Sequence, residues 1–507
     1  MNNSRTKNSL LNMGASIGYQ MLNIVLSFVS RTIFLKVLGV GYLGINGLFN
    51  DVLSMLNMAE LGLGTAMTYS MYKPLAENDQ QMLAGLTNFY KKIYRIIACS
   101  IAAIGVMLLP FLPYLINLEN DIPHVELYYL LFLASNVASY FVVAKTTVLY
   151  ADQKNHILIK YSAYWHTAQI ITMLLVLWVT KNYMMYLIVQ LLFVYGQNIY
   201  KSHVADKYYP YLRNKVNLPK EKRKEIFKDV GSSFIYKTAN VMISATDNTL
   251  TSVLVSTEMV GYYSNYGILI GKIAGVSGTV FTALTASLGN LIAKEEPQQR
   301  YRVFEIMHTL GLILSTFCVT CLLLLEDDFI RIWLGTEYTL NSLTLVAAVI
   351  NFYFYLSLTP ITTFREAAGL FRRIKFLMLW SALLNILFSI ILGIWLGLSG
   401  ILLATALSKL LTCFWYEPKV LFEEYFQKSC LLFFVAMIKN ICVTVFAIGC
   451  SWIIVYWYVP DNWSQFFLKG MIVALVSMIA IILCYQKTAG FKMLYLKFKE
   501  IIVKIKR

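Results

Sequence analysis

The stretch VGYLGING at residues 40–47 decides the architecture, because its beginning occurs a second time in the chain. The letters VGY return at residues 260–262, and each copy is followed by a further glycine, Gly47 and Gly267, at a shift of 220 residues. Each copy opens a long apolar segment that follows another apolar segment. A parallel repeat of this length in a membrane protein predicts two similar helical lobes with a transport pathway between them.

The composition is that of a membrane protein. Of 507 residues, 58% are hydrophobic and 14% are charged, whereas soluble domains average about 25% charged residues. Apolar runs long enough to cross about 30 Å of hydrocarbon recur along the chain. They predict an all-α polytopic fold with about fourteen membrane-spanning segments, near residues 10–35, 43–70, 93–116, 127–150, 156–179, 183–204, 229–256, 260–291, 303–325, 339–364, 374–396, 399–422, 431–458 and 465–485.

The distribution of charge predicts the orientation. Lys and Arg accumulate in the short loops on the cytoplasmic side of membrane proteins. Alternate loops of this chain are basic, for example those around Lys91 and Arg372, whereas the intervening loops are short and neutral or acidic, as at Glu119 and Asp327. Both termini are therefore expected in the cytoplasm. The net charge of +16 is a topology signal and does not indicate a nucleic-acid partner.

The repeat and the loops predict five parts. These are an N-lobe of six spans (1–204), a cytoplasmic linker (205–228), a C-lobe of six spans (229–425), two extra spans outside the repeat (426–486) and a basic amphipathic tail (487–507). The tail places apolar residues at helical spacing with lysines on other faces, as in helices that lie on an anionic membrane surface. The first apolar stretch lacks a cleavage site and is expected to be retained.

The cysteines and histidines predict no metal site. Cys318 and Cys321 have the spacing of a redox or zinc pair, but they lie in an apolar segment without partnering His or carboxylate residues. Packing in the protein interior is the expected role of both. The five histidines form no cluster with ligand spacing. No cofactor is expected.

Several motifs carry a resemblance to a known family. They include LGVGYLGINGLF at residues 38–49, AELGLGTA at 59–66, YKPLAEND at 72–79, GYYSNY at 261–266 and FREAAGLF at 364–371. Over about residues 5–425 the chain resembles the Wzx-like oligosaccharide flippases of bacterial capsule and exopolysaccharide clusters. These belong to the superfamily of multidrug, oligosaccharidyl-lipid and polysaccharide exporters.

The resemblance implies a fold, a substrate and a location. It implies fourteen helices in two six-helix lobes, in the bacterial cytoplasmic membrane. It implies alternating-access export of undecaprenyl-diphosphate-linked oligosaccharide from the cytoplasmic to the outer leaflet. The implied partners are this lipid-linked oligosaccharide, membrane lipids, and a polysaccharide polymerase with other assembly proteins.

Charged and polar residues inside the predicted spans are the candidates for substrate contact. A charge at a helix centre costs roughly 2.5–3.5 kcal/mol, so each needs a reason. A diphosphate needs Arg or Lys to occupy a low-dielectric site, and sugars need amides, hydroxyls and aromatic faces. The headgroup candidates are Arg31, Lys272, Arg365, Asn46, Asn265, Tyr262 and Tyr266. The alternative roles are snorkelling to the membrane surface for Arg31 and Arg365 and an internal ion pair for Lys272. For Tyr262 and Tyr266 the alternative is a belt at the membrane interface.

Three carboxylates are candidates for coupling to protons or sodium ions: Asp247, Glu60 and Asp51. A buried carboxylate changes its protonation or binds a cation when its surroundings change. Lys272 shifted back by 220 residues falls beside Asp51, so opposite charges occupy nearly equivalent places in the two lobes. A structural hydrogen bond is the alternative role for each carboxylate.

Three other functions compete with this prediction. A multidrug cation antiporter of the same superfamily and a lipid II flippase share the expected fold. The several basic residues within spans favour an anionic substrate over a cationic one. A membrane glycosyltransferase, polymerase or ligase is disfavoured, because such an enzyme is expected to carry a large outside domain, whereas all predicted outside loops are short. The chain is therefore predicted to be a transporter and not an enzyme.

Overall fold

The computed structural model describes residues 2–60, 63–294, 296–368 and 370–496. In this part of the chain the secondary structure is helical and contains no strand. The chain divides into two compact units, Met1–Gly261 and Tyr262–Arg507. The predicted lobes follow the sequence repeat and have different boundaries, and they stay a prediction.

The N-terminal unit consists of long helices joined by short turns. Its helices are α1 (Asn2–Leu38), α2 (Val40–Leu56), α3 (Leu63–Glu77), α4 (Gln80–Met107), α5 (Leu112–Leu115), α6 (Val125–Ala151), α7 (Asn155–Thr180), α8 (Tyr183–Tyr208), α9 (Lys220–Ala245) and α10 (Asp247–Leu254). Side-chain caps begin several of them. Asp79 accepts a hydrogen bond from the Met82 amide at the start of α4, and Asn182 does the same for Met184 at the start of α8. Gly39 permits the tight turn between α1 and α2 with φ of 86°.

The C-terminal unit continues the same pattern. Helix α11 (Thr257–Lys294) begins in the N-terminal unit. It is followed by α12 (Pro297–Leu334), α13 (Ser342–Ala367), α14 (Phe371–Leu396), α15 (Leu398–Leu411), α16 (Cys413–Val420), a π-helical turn (Leu421–Phe426), α17 (Leu431–Val455) and α18 (Trp463–Tyr485). Residues 489–496 of the predicted tail are helical, and 497–507 lie outside the described residues.

The described helices confirm an all-α polytopic membrane protein. Ten of them are long and apolar enough to cross a membrane. Where the structure describes them, the fourteen predicted spans fall on helices in the expected order, and the four that are not among the ten are the spans at 43–70, 183–204, 229–256 and 260–291. The first is interrupted by a 3-10 turn (Asn57–Glu60), and the third is interrupted between α9 and α10. Such interruptions within spans are typical of transporter pathways, because freed backbone groups must face protein or water.

A buried polar network fixes α17 and α18 to the rest of the C-terminal unit. The Asn440 side-chain amide on α17 donates to the Leu312 carbonyl and the Thr316 hydroxyl of α12, at 3.0 and 2.8 Å. It also lies 3.0 Å from the Tyr485 hydroxyl of α18, and its oxygen accepts a hydrogen bond from Tyr353 of α13. In a membrane, helices gain no hydrophobic energy by contacting one another, so such hydrogen bonds and close packing hold them together.

Candidate functional site

The two copies of the repeated motif contact each other through their glycines. A Cβ on Gly44 of α2 would overlap the carbonyl oxygen of Thr257, and one on Gly261 of α11 would overlap the carbonyl oxygen of Val40. A Cβ on Gly47 would lie 2.6 Å from Val260. Only residues without a side chain allow the two backbones to approach so closely. We call this contact between α2 and the first turn of α11 the glycine seam.

Hydrogen bonds continue the contact beyond the glycine seam, near the first residues of α2. The Thr257 amide donates to the Asn117 carbonyl at 2.7 Å, and the Asn117 amide donates to the Thr257 hydroxyl at 2.8 Å. The Asn117 side chain also donates to the Val255 carbonyl. Ser252 of α10 donates to the Leu115 carbonyl at 2.6 Å. The segment 115–117 is thereby bound to the end of α10 and the start of α11.

Asp51 lies further along α2 and faces the beginning of α10. Its carboxylate accepts a hydrogen bond from the Asn248 amide at 3.3 Å. The positive end of the α10 dipole favours a carboxylate at this place. Asp247, the first residue of α10, lies close enough to Asp51 to repel its charge. Two of the three predicted coupling carboxylates therefore interact electrostatically, through the hydrogen bond of Asp51 to the residue that follows Asp247.

Glu60, the third predicted coupling residue, lies elsewhere in the same unit. It ends the 3-10 turn that interrupts the second span, and it interacts with the buried tyrosines Tyr94 and Tyr140. The Tyr140 hydroxyl donates to Asn57 of the same turn at 2.8 Å. This interruption of the second span is therefore held by tyrosines of α4 and α6.

Arg31 and Asn46 lie near one cluster of tyrosines. The buried Tyr183 donates a hydrogen bond to the Asn46 side-chain oxygen at 2.9 Å. Tyr186, one turn along α8, stacks on the Tyr183 ring and interacts electrostatically with Arg31. Phe34 of α1 packs edge-on against both tyrosines. Asn46 thus has a protein partner, and its predicted contact with substrate stays a prediction.

The predicted tyrosine and asparagine contacts of α11 in the C-terminal unit have different surroundings. The Tyr266 hydroxyl donates to Asp327 at 2.6 Å and accepts from the Leu340 amide at 3.0 Å, so it ties α11 to α12 and to the segment before α13. Tyr262 packs against Tyr338, with ring centres 5.8 Å apart. Asn265 is completely buried, and neither side-chain polar atom has a hydrogen-bond partner among the described residues.

Arg365 forms an ion pair inside the C-terminal unit. Only 2% of its side chain is exposed, and its guanidinium lies 2.5 Å from the Glu417 carboxylate and 3.8 Å from that of Glu366. Contact between Arg365 and a diphosphate would require this pair to open. Lys272 is partly buried on α11. The headgroup role of both cations stays a prediction.

The repeat is visible in the sequence, but the partners of its glycines are not. Asn117, Ser252 and Thr257 lie in or beside short loops and carry no pattern of their own. A usable signal was the recurrence of glycine at every third position, Gly41, Gly44 and Gly47, which places three glycines along one side of α2. Among the described residues there is no group of three or more His, Cys, Asp or Glu side chains arranged to hold a metal ion.

Comparison with known proteins identifies the fold. No protein-family model matches the chain, and no curated protein matches its sequence. Solved structures do match. The lipid II flippase MurJ in an inward closed conformation superposes with a TM-score of 0.67 and 16% identity, covering 94% of this chain and 99% of MurJ. An inward-facing multidrug resistance MATE transporter of the MOP superfamily gives a TM-score of 0.58 at 12% identity, covering 94% of this chain and 100% of the other.

A third solved structure is also similar to the chain. A MOP superfamily transporter from Pyrococcus furiosus gives a TM-score of 0.57 at 13% identity, covering 80% of this chain and 93% of that chain. At identities of this size the similarity shows the fold alone. The chain therefore has the fold of the MOP superfamily transporters, which include a lipid flippase and multidrug exporters.

Proposed function

We propose that this protein is a flippase that moves undecaprenyl-diphosphate-linked oligosaccharide repeat units from the cytoplasmic to the outer leaflet for capsule, exopolysaccharide or O-antigen synthesis. The observation that carries the proposal is the similarity in fold to the lipid II flippase MurJ over nearly the full length of both chains. The similarity to MurJ supports a lipid-linked substrate for this chain, and the motif resemblance supports an oligosaccharide as the headgroup of that substrate. The fold by itself does not determine function, so the substrate depends on the side chains that line the pathway.

The glycine seam supplies the gate that alternating access requires. The predicted topology places the start of α2 and the end of α10 on the outer side, so the seam closes the outer end when it is formed. Backbone packing and a few hydrogen bonds of about 1 kcal/mol each hold it. The sum is small enough for the seam to open during each cycle, since conformational equilibria in proteins commonly involve a few kcal/mol.

The basic residues within the predicted spans support a substrate with an anionic headgroup. Arg31 and Lys272 are proposed as contacts of the diphosphate, because a dianion in a low-dielectric site needs cationic hydrogen-bond donors. Arg365 is proposed as a contact only in a state where its pair with Glu417 opens. An anionic substrate also gains about 2.3 kcal/mol per charge from a membrane potential of 100 mV that is negative inside. Export of the headgroup is then favoured without any coupling ion.

The second candidate function is export of a small organic cation. The approach of Asp51 and Asp247 at the beginning of α10 favours it, because two neighbouring carboxylates bind a proton or cation more readily than one. A proton or sodium antiport through these residues is compatible with either substrate. The lipid II flippase remains the third candidate, since it requires the same fold and the same carrier lipid.

The test is the sidedness of lipid-linked oligosaccharide in cells depleted of the protein. Accessibility to an external glycosidase or lectin on spheroplasts distinguishes the two leaflets. We expect complete repeat units to accumulate on the inner face while surface polymer is lost. Accumulation on the outer face would instead identify a polymerase or ligase. Unchanged repeat units with increased sensitivity to organic cations would identify a drug exporter, and a cell-wall defect would identify a lipid II flippase.

A further inference from the structure

A cavity with mainly polar lining residues lies within the N-terminal unit, apart from the glycine seam. It has a volume of about 330 Å³ and is lined by residues of α1, α6, α7 and α8. Eight of its ten lining residues are polar, and none of them is a carboxylate. The lining includes Tyr19, Asn155, Ser162, His166, Gln169, Gln197 and Lys201. We call it the inner-end cavity, because it starts where α6 ends and α7 begins, on the predicted cytoplasmic side.

The polar lining is built into one side of α7. Asn155, Ser162, His166 and Gln169 follow each other at helical spacing and face the cavity, from the first residue of α7 to about 21 Å further along its axis. Beyond the exposed Lys160 near its start, the exposed side of the same helix is mainly apolar, with Ile171, Leu175 and Trp178 among its members. Polar side chains are costly in contact with lipid, so a continuous polar stripe needs a polar occupant.

Lys201 gives the inner-end cavity a positive charge. Its ammonium donates to the Gln197 side-chain oxygen at 3.1 Å, one turn away on α8. The carboxylate further along α8, that of Asp206, lies 2.7 Å from the ammonium of Lys145 instead. Within the described part of the chain, Lys201 has no carboxylate at ion-pair distance. An anion is therefore the expected partner of this lysine.

The other lining groups fit a sugar. The carboxamides of Asn155, Gln169 and Gln197 and the hydroxyl of Ser162 both donate and accept hydrogen bonds, as sugar hydroxyls require. Tyr19 and His166 form an edge-on ring pair, with centres 5.9 Å apart, that offers an aromatic wall. The volume lies at the lower end of the range of about 300–1,000 Å³ for ligand sites. It suits one sugar with its phosphate and not a complete oligosaccharide.

We propose that the inner-end cavity binds a glycosyl phosphate, with the phosphate on Lys201 and the sugar between the amides of α7 and α8. The proposal deepens the proposed function and rests on it, because it places the lipid-proximal sugar and phosphate of the substrate at a site on the inner leaflet side before the headgroup crosses. The same chemistry is present in a soluble sugar phosphate, and the experiment separates the two sources.

The test measures binding to the full chain in lipid nanodiscs by calorimetry. The probes are farnesyl-diphosphate-linked N-acetylglucosamine, N-acetylglucosamine 1-phosphate and farnesyl diphosphate. The variants are Lys201→Met and Gln169→Leu, and the matched control is Lys207→Met, since Lys207 lies on the same helix and is exposed. We expect the Kd for the farnesyl-linked sugar to rise about tenfold or more in K201M and severalfold in Q169L, and to stay within about twofold in K207M.

Each outcome decides a separate point. Unchanged Kd values in both K201M and Q169L would overturn the inner-end cavity as a site. If the wild-type protein still flips the farnesyl-linked sugar in proteoliposomes, the proposed function stands without it. A wild-type protein that does not bind this probe would also overturn the inner-end cavity as a site, whereas the proposed function itself fails only if repeat units do not accumulate on the inner face of depleted cells. Equal, Lys201-dependent affinity for N-acetylglucosamine 1-phosphate would assign the cavity to a soluble sugar phosphate and overturn the glycolipid.

Discussion

Replacing Gly44 by alanine should open the glycine seam. The added methyl group would overlap the Thr257 carbonyl oxygen and touch the Thr257 methyl group at 3.0 Å. The overlap is with backbone, so no side-chain rotation relieves it, and α2 must move away from α11 by more than about 1 Å. Gly41→Ala is the matched control, because its methyl group would meet only Ile122 and Leu118, at 3.4 and 3.6 Å.

The size of the effect follows from the contacts that are lost. Overpacking costs about 1–3 kcal/mol, and separating Asn117 from Thr257 removes two hydrogen bonds worth about 0.5–1.5 kcal/mol each. We expect Gly44→Ala to destabilise the closed seam by about 2–6 kcal/mol, which is a shift of at least roughly 30-fold in the ratio of open to closed molecules. Gly41→Ala should leave this ratio unchanged, because an ordinary contact adds no strain.

The assay follows the accessibility of a residue inside the seam. Val260 is completely buried against α2, so we place a cysteine there in a background without the eight native cysteines. Labelling of V260C by a membrane-impermeant maleimide on intact cells should accelerate at least tenfold with Gly44→Ala and not with Gly41→Ala. Size-exclusion chromatography checks that both variants are folded. If they are folded and label at equal rates, the glycine seam is not a gate.

Three further predictions concern stability in detergent. Arg365→Met leaves the buried Glu417 without its cation and should lower the free energy of unfolding by about 3–5 kcal/mol, whereas the double variant R365M/E417L should recover part of it in thermal unfolding. Asn440→Leu should lower the free energy of unfolding by about 1–3 kcal/mol in the same thermal unfolding measurement, because several buried polar groups lose their hydrogen-bond partner. Burial, reinforced by the hydrogen bond to Asp152, holds the pKa of Tyr209 above its ordinary value. As the pH rises past about 10, Tyr209 therefore ionises first in the unfolded state, and the free energy of unfolding should fall. Tyr209→Phe should make this fall with pH shallower. A stability profile identical to that of the wild type would contradict the prediction.

The fold was accessible from the sequence because a membrane allows few alternatives. Apolar runs of span length become helices, and ten of the fourteen predicted segments coincide with described helices that could cross a membrane. The limits of the rule show at the second and seventh spans. Hydropathy treated residues 43–70 and 229–256 as single segments, but each helix is interrupted, at Asn57–Glu60 and after Ala245. An interruption depends on partners from other helices, such as Tyr140, and these are invisible to a local pattern.

The candidate site was only partly predictable. The repeat indicated that residues 40–47 and 260–262 matter, but not that the two copies touch. The approach of Asp51 to Asp247 could not be read from the sequence, since 196 residues separate them and no spacing rule connects α2 with α10. Polar residues with long-range partners were the hardest to assign. From the sequence, Tyr266 and Arg365 fit a substrate as well as they fit Asp327 and Glu417, and only the folded structure shows which neighbour each has.

The meeting of the two repeat copies at the glycine seam has a consequence for the ancestry of the chain. If the repeat arose by duplication of a gene for one lobe, the ancestral protein was a homodimer, and equivalent residues near its two-fold axis contacted their own counterparts. Val40-Gly41 and Val260-Gly261 then descend from a single dipeptide that packed against itself. Any change there altered both sides of the dimer contact at once. After fusion, each side became free to vary alone, and the surroundings of the two glycines now differ, because Gly41 has room for a methyl group and Gly261 does not.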